Sequence, residues 1–505
     1  MNTKALRQKV LDLAIHGKLV PQNPNDESAE VLLKKIREEK AEKIKKGELK
    51  ADKKDSFIFT KECEFDEDKL GKCSSGTRHK RHYEQFADGT VKDIEDEIPF
   101  DVPEGWTWCR LGEVCELKGG KRIPAGLSAT KEKTNHIYIR VTDMQNNSIS
   151  DADLVYITDE IFEKIQRYTI NKDDLYLTIA GTIGRVGEVP EIFDGMNLTE
   201  NALKLTNISI CKKYLMQIIN TKLVQDYFES TYHQVAMPKL SLINASKTII
   251  PLPPLAEQER IVSVIKNIFS QIDTLDQNKS DLQTAIKQTK SKILDLAIHG
   301  KLVPQNPNDE PAEELLKRIA TSDNRPYEKV EEEFDYEIPK NWRFCKVKDV
   351  CSVIMGQSPE GEAVSDDKNG MEFHQGKICF GKKYLEESSS FTKHITKIAP
   401  KDSVLLCVRA PVGIVNITER EICIGRGLCA VIPKYEINSD FWFYWLQSLQ
   451  SDFEQKATGT TFRAISVDVI KNQFVAIPPH EEQNRIVNKI NELYEQLDKI
   501  VLNLV

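Results

Sequence analysis

A run of apolar residues at alternating spacings of four and three occupies the middle of the chain. The positions are Ile261, Ile265, Ile268, Ile272, Leu275, Leu282, Ile286, Ile293 and Leu296, with Lys279 and Thr289 at the missing steps. Sustained over about five heptads, this spacing predicts one helix over about 255–299 with a coiled-coil seam. At 1.5 Å per residue, such a helix would be roughly 65 Å long.

Both ends of the chain repeat parts of this middle helix. Residues 9–36 and 292–319 are identical at 24 of 28 positions, and PPLAEQERIV (253–262) returns as PPHEEQNRIV (478–487). The apolar rhythm of these end segments is carried by Leu6, Val10 and Leu13 and by Ile486, Ile490, Leu493, Leu497, Ile500 and Leu504. The chain therefore has the pattern of a circularly permuted repeat, cut open within one helical connector.

The ends of the repeated helices are marked by glycine and then proline. Gly17 and Gly300 follow the last helical turns, and Pro21 and Pro304 lie just beyond, as helix C-termini prefer. Because the N-terminal and C-terminal helices match the two ends of the connector, we expect both to lie end to end alongside it and antiparallel to it. The two globular stretches would then sit at opposite ends, related by an approximate two-fold axis.

These observations divide the chain into six segments. They are an N-terminal helical region (1–45), a charged insertion or linker (46–96), a first globular domain (97–250), a central helical connector (251–325), a second globular domain (326–477) and a C-terminal helix (478–505). The globular domains begin with a shared Pro-x-x-Trp pattern, which contains Trp106 in the first and Trp342 in the second. Both tryptophans are expected in the core, and so is the FWFYWL run at 441–446 as a buried helix.

Composition narrows the class of protein. A length of 505 residues argues for at least two domains, and no stretch approaches the ~20 apolar residues of a membrane helix. The polar N-terminus predicts no secretory signal. Eleven cysteines without a CxxC pair favour reduced thiols, so we expect a cytoplasmic protein without a zinc site.

The sequence also lacks the common motifs of nucleotide binding and catalysis. The sequence contains no P-loop, no GxGxxG after a strand, no HExxH and no GxSxG. We therefore predict no catalytic residues and no metal ligands. The net charge of −8 does not itself indicate a nucleic-acid partner, although residues 45–96 could provide a flexible basic arm that touches phosphates.

Several sequence blocks, in this order, resemble one known family. They are LDLAIHGKLVPQ in both copies, IPLPPLAEQERIV and AIPPHEEQNRIV, IYIRVTDMQ (137–145), LYLTIAGTIGRVGEV (175–189), FHQGK (373–377), VRAPVGIVN (408–416) and CIGRGLCAVIP (423–433). Over nearly its full length the chain resembles the specificity subunit of a type I restriction–modification enzyme.

The resemblance implies a fold and a role. The fold would be α/β (α+β), with two globular target recognition domains of mixed strands and helices separated by a long antiparallel coiled-coil helix pair. Each domain would read one half of a bipartite double-stranded DNA target, and the helices would set the spacer and dock two methyltransferase (modification) subunits. Restriction/translocase subunits would join this complex. S-adenosylmethionine, ATP and Mg²⁺ would belong to those partners, and this chain would carry no cofactor and no chemistry of its own.

Under this resemblance, polar side chains on loops that could reach the major groove are the candidates for contacts to bases and phosphates. The DNA-binding candidates are Lys121, Arg122, Arg140, Gln145, Asn146, Arg185, Lys239, Gln357, Gln375, Lys377, Arg409, Arg426 and Arg463. The partner-binding candidates on the helices are Leu6, Val10, Leu13, Ile261, Ile265, Ile268, Ile272, Ile286, Ile293, Ile486, Ile490 and Leu493. Solvated surface charge is the alternative for each loop residue.

Two other functions stay open from the sequence. The first is a fused DNA methyltransferase/nuclease with its own recognition domains, which would need a cofactor-binding glycine strand and a methylation motif. The second is a coiled-coil scaffold without a role on DNA.

Overall fold

The computed structural model describes residues 2–47, 55–62, 80–231, 238–332, 334, 336–435, 437–459 and 463–503. The chain divides into two compact units, Met1–Asp276 (unit 1) and Gln277–Val505 (unit 2). Each unit mixes strands and helices, as the sequence predicts. Within the described ranges, every helix is too short or too polar to span a bilayer.

Unit 1 combines helices with mostly short strands. Its helices are α1 (Thr3–Ile15), α2 (Ala29–Lys45), α3 (Leu111–Val114), α4 (Asp159–Ile165), α5 (Lys212–Ile219), α6 (Lys222–Ser230), α7 (Leu242–Ser246) and the first part of α8 (Leu255–Ile298). Its strands are β1 (Ser56–Glu62), β2 (Lys80–Phe86), β3 (Val91–Asp93), β4 (Thr107–Arg110), β5 (Glu116–Gly119), β6 (His136–Ile139), β7 (Met144–Gln145), β8 (Ser148–Ile149), β9 (Tyr156–Ile157), β10 (Thr169–Ile170), β11 (Leu175–Thr178), β12 (Val186–Glu188), β13 (Met196–Leu198), β14 (Ala202–Thr206) and β15 (Ile249–Leu252).

Unit 2 also combines helices with mostly short strands. Its strands are β16 (Arg343–Lys346), β17 (Cys351–Met355), β18 (Val364–Ser365), β19 (Met371–His374), β20 (Phe391–Thr392), β21 (Ile398–Ala399), β22 (Val404–Cys407), β23 (Val415–Ile417), β24 (Ile422–Ile424), β25 (Leu428–Pro433) and β26 (Phe474–Ile477). Besides the end of α8, its helices are α9 (Ala312–Ser322), α10 (Val347–Val350), α11 (Ser439–Ser448), α12 (Gln450–Lys456), α13 (Val467–Lys471) and α14 (His480–Leu502).

Three sheets of unit 1 have counterparts in unit 2. The pair β4–β15 matches β16–β26, and the antiparallel order β12-β11-β14-β5 matches β23-β22-β25-β17. A parallel pair, β6 with β13, lies inside a four-stranded sheet and matches β19 with β24 in a five-stranded sheet. The repeat seen in the sequence is therefore a repeat of sheet topology as well.

A further sheet lies in the charged insertion. Strands β1, β2 and β3 pair antiparallel in chain order, and Ile58 is buried against Ile94 and Trp108. These strands are absent from the prediction made on the sequence, although Phe57, Ile58 and Phe59 form an apolar run typical of a strand. The charged run and the basic loop predicted within 45–82 fall largely on residues 48–54 and 63–79, outside the described residues.

The central helix is confirmed over nearly its whole predicted length. In unit 1, α1 packs along its first half, where Val10 and Ile15 share a core with Ile261 and Ile265. Arg7 of α1 forms an ion pair with Asp273 at 2.6 Å, and Asp26, after the end of α1, forms one with the earlier Arg260 at 2.6 Å. Because the earlier of these two residues meets the later residue of α8, the two helices run antiparallel, as predicted.

The other half of α8 packs on α14 within unit 2. Lys290 Nζ lies 2.6 Å from Asp498 Oδ1 and 4.7 Å from the ring centre of Tyr494. Further along the chain Asp309 pairs with Arg485, an earlier residue of α14. This order of contacts again gives an antiparallel pair.

The coiled-coil seam is less regular than the spacing predicts. Ile272 and Ile286 are buried, whereas Leu275 and Leu282 between them are exposed. The apolar rhythm alone could not show this, because it does not reveal where the partner helix ends.

A buried Trp–Glu contact anchors the start of α8 in unit 1. Trp106 donates from its indole Nε1 to Glu257 Oε2 at 3.0 Å, and burial raises the pKa of this carboxyl group. Gln258 donates to the Pro253 carbonyl at 2.9 Å and accepts from the backbone N–H of Cys211 at 2.9 Å. The repeated Glu-Gln pair therefore satisfies buried polar groups where the helix leaves the sheet.

The same network recurs at the start of α14 in unit 2. Trp342 donates to Glu482 Oε2 at 3.0 Å, and burial raises the pKa of Glu482. Gln483 donates to the Pro478 carbonyl at 3.2 Å and accepts from the backbone N–H of Asn438 at 3.1 Å. Both tryptophans are buried, as predicted.

Candidate nucleic-acid interface

Three of the candidates in unit 1 gather around Glu200. Arg122, which is largely exposed, donates from Nε to Glu200 Oε1 at 2.7 Å. Lys239 reaches the Glu200 carbonyl at 3.4 Å, and the backbone N–H of Lys121 donates to the Leu198 carbonyl at 2.9 Å. Partial burial would raise the pKa of Glu200, but the hydrogen bond from Arg122 lowers it. The carboxylate is therefore charged among these cations.

A second group lies at the β7–β8 hairpin. Its turn residues, Asn146 and Asn147, have φ of +53° and +55°, a left-handed region that asparagine tolerates. Gln145 and Asn146 are exposed there. Arg185 is also exposed and donates to the Met144 carbonyl at 3.3 Å. The hairpin thus presents three amides, those of Gln145, Asn146 and Asn147, and one guanidinium.

Arg140 is the candidate with the most internal partners. Its guanidinium donates to the buried Asp143 at 2.7 Å and to the Asp153 carbonyl at 2.5 Å. Its backbone N–H also donates to Asp143 at 2.8 Å. These contacts fix the turn after β6. They also occupy much of the Arg140 side chain, which the sequence predicts to contact DNA.

In unit 2, four candidates line one cavity. Gln375, Lys377, Arg409 and Arg426 surround a space of about 190 Å³ whose wall includes Cys407. Burial raises the pKa of the Cys407 thiol to about 12, so the thiol is neutral at physiological pH. Across the described parts of the chain, no carboxylate lies within ion-pair distance of the three cations. The cavity therefore carries uncompensated positive charge.

The two remaining candidates of unit 2 do not line this cavity but are bonded through the backbone to residues beside it. Gln357 donates its backbone N–H to the Ile424 carbonyl at 3.0 Å. The Arg463 carbonyl accepts from Ala410 at 3.1 Å, while its guanidinium donates to the Glu454 carbonyl at 2.5 Å. Six scattered sequence positions are thus brought to one region of unit 2.

Part of the backbone that carries these residues makes matching hydrogen bonds in the two units. We call it the loop frame: 120–121, 139–140, 179–180 and 198–201 in unit 1, and 356–357, 374–375, 408–409 and 424–427 in unit 2. Three hydrogen bonds from a backbone N–H to a carbonyl in unit 1 have a counterpart in unit 2. The bond from Lys121 to Leu198 matches that from Gln357 to Ile424, the bond from Thr199 to Ile139 matches that from Gly425 to His374, and the bond from Ile179 to Asn201 matches that from Val408 to Gly427. Their lengths are 2.8–3.1 Å.

Glycine is required at one position of the loop frame in each unit. A Cβ on Gly120 would lie 2.1 Å from the Thr199 carbonyl oxygen, and one on Gly356 would lie 2.2 Å from that of Gly425. Neither oxygen can move without breaking the frame. The two loops can therefore approach this closely only through glycine.

The side chains displayed on this common frame differ between the units. The matched bonds align Lys121 with Gln357, Arg140 with Gln375, Ala180 with Arg409, and Glu200 with Arg426. Neither Glu200 nor Ser358, whose hydroxyl accepts the backbone N–H of Arg426 at 3.2 Å, is among the residues predicted from the sequence. No motif marks either residue, and only the backbone pairing reveals their positions.

The helical candidates for partner binding mostly pack inside their own units. The buried ones are Val10, Ile261, Ile265, Ile272, Ile286, Ile293, Ile486 and Ile490. Ile268 and Leu493 pack partly buried against the cores, Leu13 is intermediate, and Leu6 is exposed. A separate chain that docks on these helices would therefore contact mainly their other faces.

The fold and these surfaces define a class of protein: one chain with two similar domains that present different polar side chains on the same loops. Residues 103–284 and 339–504, more than half of the chain, match the family model of the type I restriction modification DNA specificity domain. The chain belongs to this family, as the sequence resemblance predicts.

Known relatives agree with this assignment. The chain is 25% identical over 411 residues to a protein of Methanocaldococcus jannaschii described as the type I restriction enzyme MjaX specificity subunit, covering 79% of this chain and 89% of that protein. It is 24% identical over 591 aligned positions to the type I restriction enzyme EcoAI specificity subunit of Escherichia coli, covering 98% and 90%. A solved structure from work on assembly and conformational transition of the type I R-M system has a similar fold, with a TM-score of 0.57, 23% identity and coverage of 80% and 94%.

Proposed function

We propose that this chain is the non-catalytic DNA-recognition subunit of a type I restriction–modification complex and that it reads a bipartite double-stranded target. Unit 1 reads one half of the target and unit 2 reads the other. The observation that carries this proposal is the loop frame, which holds two different polar side-chain sets on one backbone. With such an arrangement, two domains of one type can read two different base sequences.

The helices have a separate role in this proposal. Continuous helix α8 sets the spacer between the two half-targets, because a helix has a fixed rise per residue. The exposed faces of the helices dock two methyltransferase subunits, and restriction subunits join the complex. S-adenosylmethionine, ATP and Mg²⁺ are bound by those partners.

The proposal also assigns the contacts within each half. The cavity of Gln375, Lys377, Arg409 and Arg426 faces DNA in unit 2, and its uncompensated charge supports contact with electronegative groups. In unit 1, the β7–β8 hairpin and the cations around Glu200 face DNA. Local positive clusters make the contact possible although the net charge is −8.

The test is selection of DNA from a random duplex pool by the full chain assembled with its methyltransferase subunits. We expect two short defined blocks separated by a gap of constant length. Recovery of DNA without sequence preference would refute the proposal. Labelled S-adenosylmethionine should cross-link to the methyltransferase subunits and not to this chain. Cross-linking to this chain would instead favour the alternative of a fused methyltransferase.

A further inference from the structure

One position of the loop frame carries opposite charges in the two units. Glu200 in unit 1 and Arg426 in unit 2 each lie two residues after the carbonyl that pairs with the first loop, Leu198 and Ile424 respectively. A phosphate group has the same charge and shape at every nucleotide. A position that contacts phosphate in both units would therefore be expected to keep a cation in both. The reversal of charge argues for contact with bases, whose edges differ.

Arg426 has the geometry for such a contact. Its backbone N–H donates to Ser358 Oγ, and the backbone N–H of the neighbouring Gly425 donates to the His374 carbonyl at 2.8 Å. A Cβ on Gly427 would lie 2.2 Å from the Gln375 carbonyl oxygen, so the following residue is also closely held. The guanidinium is exposed on a fixed backbone and has no carboxylate partner in the described chain.

Glu200 is held in a complementary way. Its Oε1 accepts from Arg122, and its Oε2 accepts from Tyr138 Oη at 3.3 Å and from Thr199 Oγ1 at 3.1 Å. The carboxylate is therefore oriented, and Oε1, which accepts one hydrogen bond, has a further lone pair available. Such a group accepts hydrogen bonds from an exocyclic amino group and repels the oxygens of phosphate.

We propose that this shared position determines base specificity, with Arg426 reading a guanine in one half-target and Glu200 reading a cytosine in the other. Arginine donates both of its outer N–H groups to guanine O6 and N7, and glutamate accepts from cytosine N4. This inference rests on the proposed function, because it requires that each unit faces the major groove of DNA.

The test compares variants by the same selection from random duplex DNA, with the full chain in its assembled complex. Arg426→Ala should lower the preference for guanine at one position of one block about tenfold. Arg426→Gln should move that preference toward adenine, because an amide pairs with adenine N6 and N7. Glu200→Gln should weaken a cytosine in the other block and leave the first block unchanged. Lys401→Gln is the matched control, since Lys401 is an exposed cation before the opposite end of β22.

The outcomes separate the possibilities. If Arg426→Ala lowers affinity equally for all sequences and reduces the salt dependence by about one phosphate, Arg426 binds phosphate and the inference fails while the proposed function stands. An unchanged preference in both Arg426 variants also overturns the inference. If the wild-type complex selects no sequence at all, the proposed function itself fails.

Discussion

The indole nitrogen of Trp342 donates a hydrogen bond to the Glu482 carboxylate at 3.0 Å, and both residues are buried. This contact joins the residue just before β16 to the first turn of α14. Since Trp106 and Glu257 repeat it at the same distance in unit 1, the contact belongs to the duplicated architecture and not to one recognition surface.

Loss of this hydrogen bond should destabilise unit 2. Trp342→Phe fills most of the same space but leaves a buried carboxylate oxygen without its donor, which should cost about 1–3 kcal/mol in the free energy of unfolding. Urea denaturation measures the effect. Trp445→Phe is the control, because the buried indole N–H of Trp445 has no partner among the described residues. Equal losses in the two variants would show that volume and not the hydrogen bond matters.

A glycine after α8 offers a second test of the duplicated architecture. Gly300 has φ of +65°, and a Cβ there would lie 2.4 Å from Pro339 Cγ. Gly300→Ala should therefore destabilise unit 2 by about 1–3 kcal/mol through backbone strain and overlap. Gly361→Ala provides the comparison, since no atom lies within 4 Å of its added Cβ. Thermal denaturation should show a much smaller change for that variant, and similar changes would contradict the argument.

The sequence predicted the repeated parts well because repetition is visible without a structure. Helix α8, its antiparallel neighbours and the buried tryptophans all follow from heptad spacing and matched segments. The surfaces were harder to predict. Arg140 pairs with Asp143, three residues further along the chain, and with Asp153, which the fold brings close.

Equivalent positions that carry opposite charges, such as Glu200 and Arg426, lie in segments whose sequences differ between the two units. Their equivalence depends on backbone hydrogen bonds between strands that are distant in the chain, and side-chain patterns do not encode those pairings.

The stability of unit 2 should fall in acid through Glu372. Burial alone would raise the pKa of this carboxyl group, but hydrogen bonds from Arg420, the Ser388 N–H and His374 lower it from its ordinary 4.5 to about 2. A depressed pKa gives stability that is present above about pH 4.5 and is lost as the pH falls toward 2.

The measurement is the thermal midpoint between pH 6 and pH 2.5, roughly the interval in which this carboxylate gains its proton. Glu372→Gln should lower the midpoint at pH 6 and flatten its dependence on pH, because the group that titrates is gone. The exposed Glu360→Gln should leave the acid dependence of the wild type intact. A Glu372→Gln protein with the wild-type acid slope would count against this assignment.

Under the proposed function the two recognition domains should be exchangeable. Replacing residues 338–477 with the corresponding domain of a relative should change one half of the selected DNA target and leave the other half unchanged. The reason is that each loop frame is built from contacts within its own unit. Sequencing of methylated sites made by the assembled complex measures both halves at once. Changes in both halves would contradict modular recognition.

The length of α8 should set the gap between the half-targets. One heptad inserted between the exposed Leu275 and Leu282 keeps the seam nearly in phase and adds about 10 Å at 1.5 Å per residue. At about 3.4 Å per base pair, this corresponds to roughly three base pairs. Selection from random duplex DNA should therefore return the same two blocks with a longer gap. Seven residues inserted at the open turn of Gly89 should leave the gap unchanged, and an unchanged gap in the helix variant would exclude α8 as the element that sets the spacing.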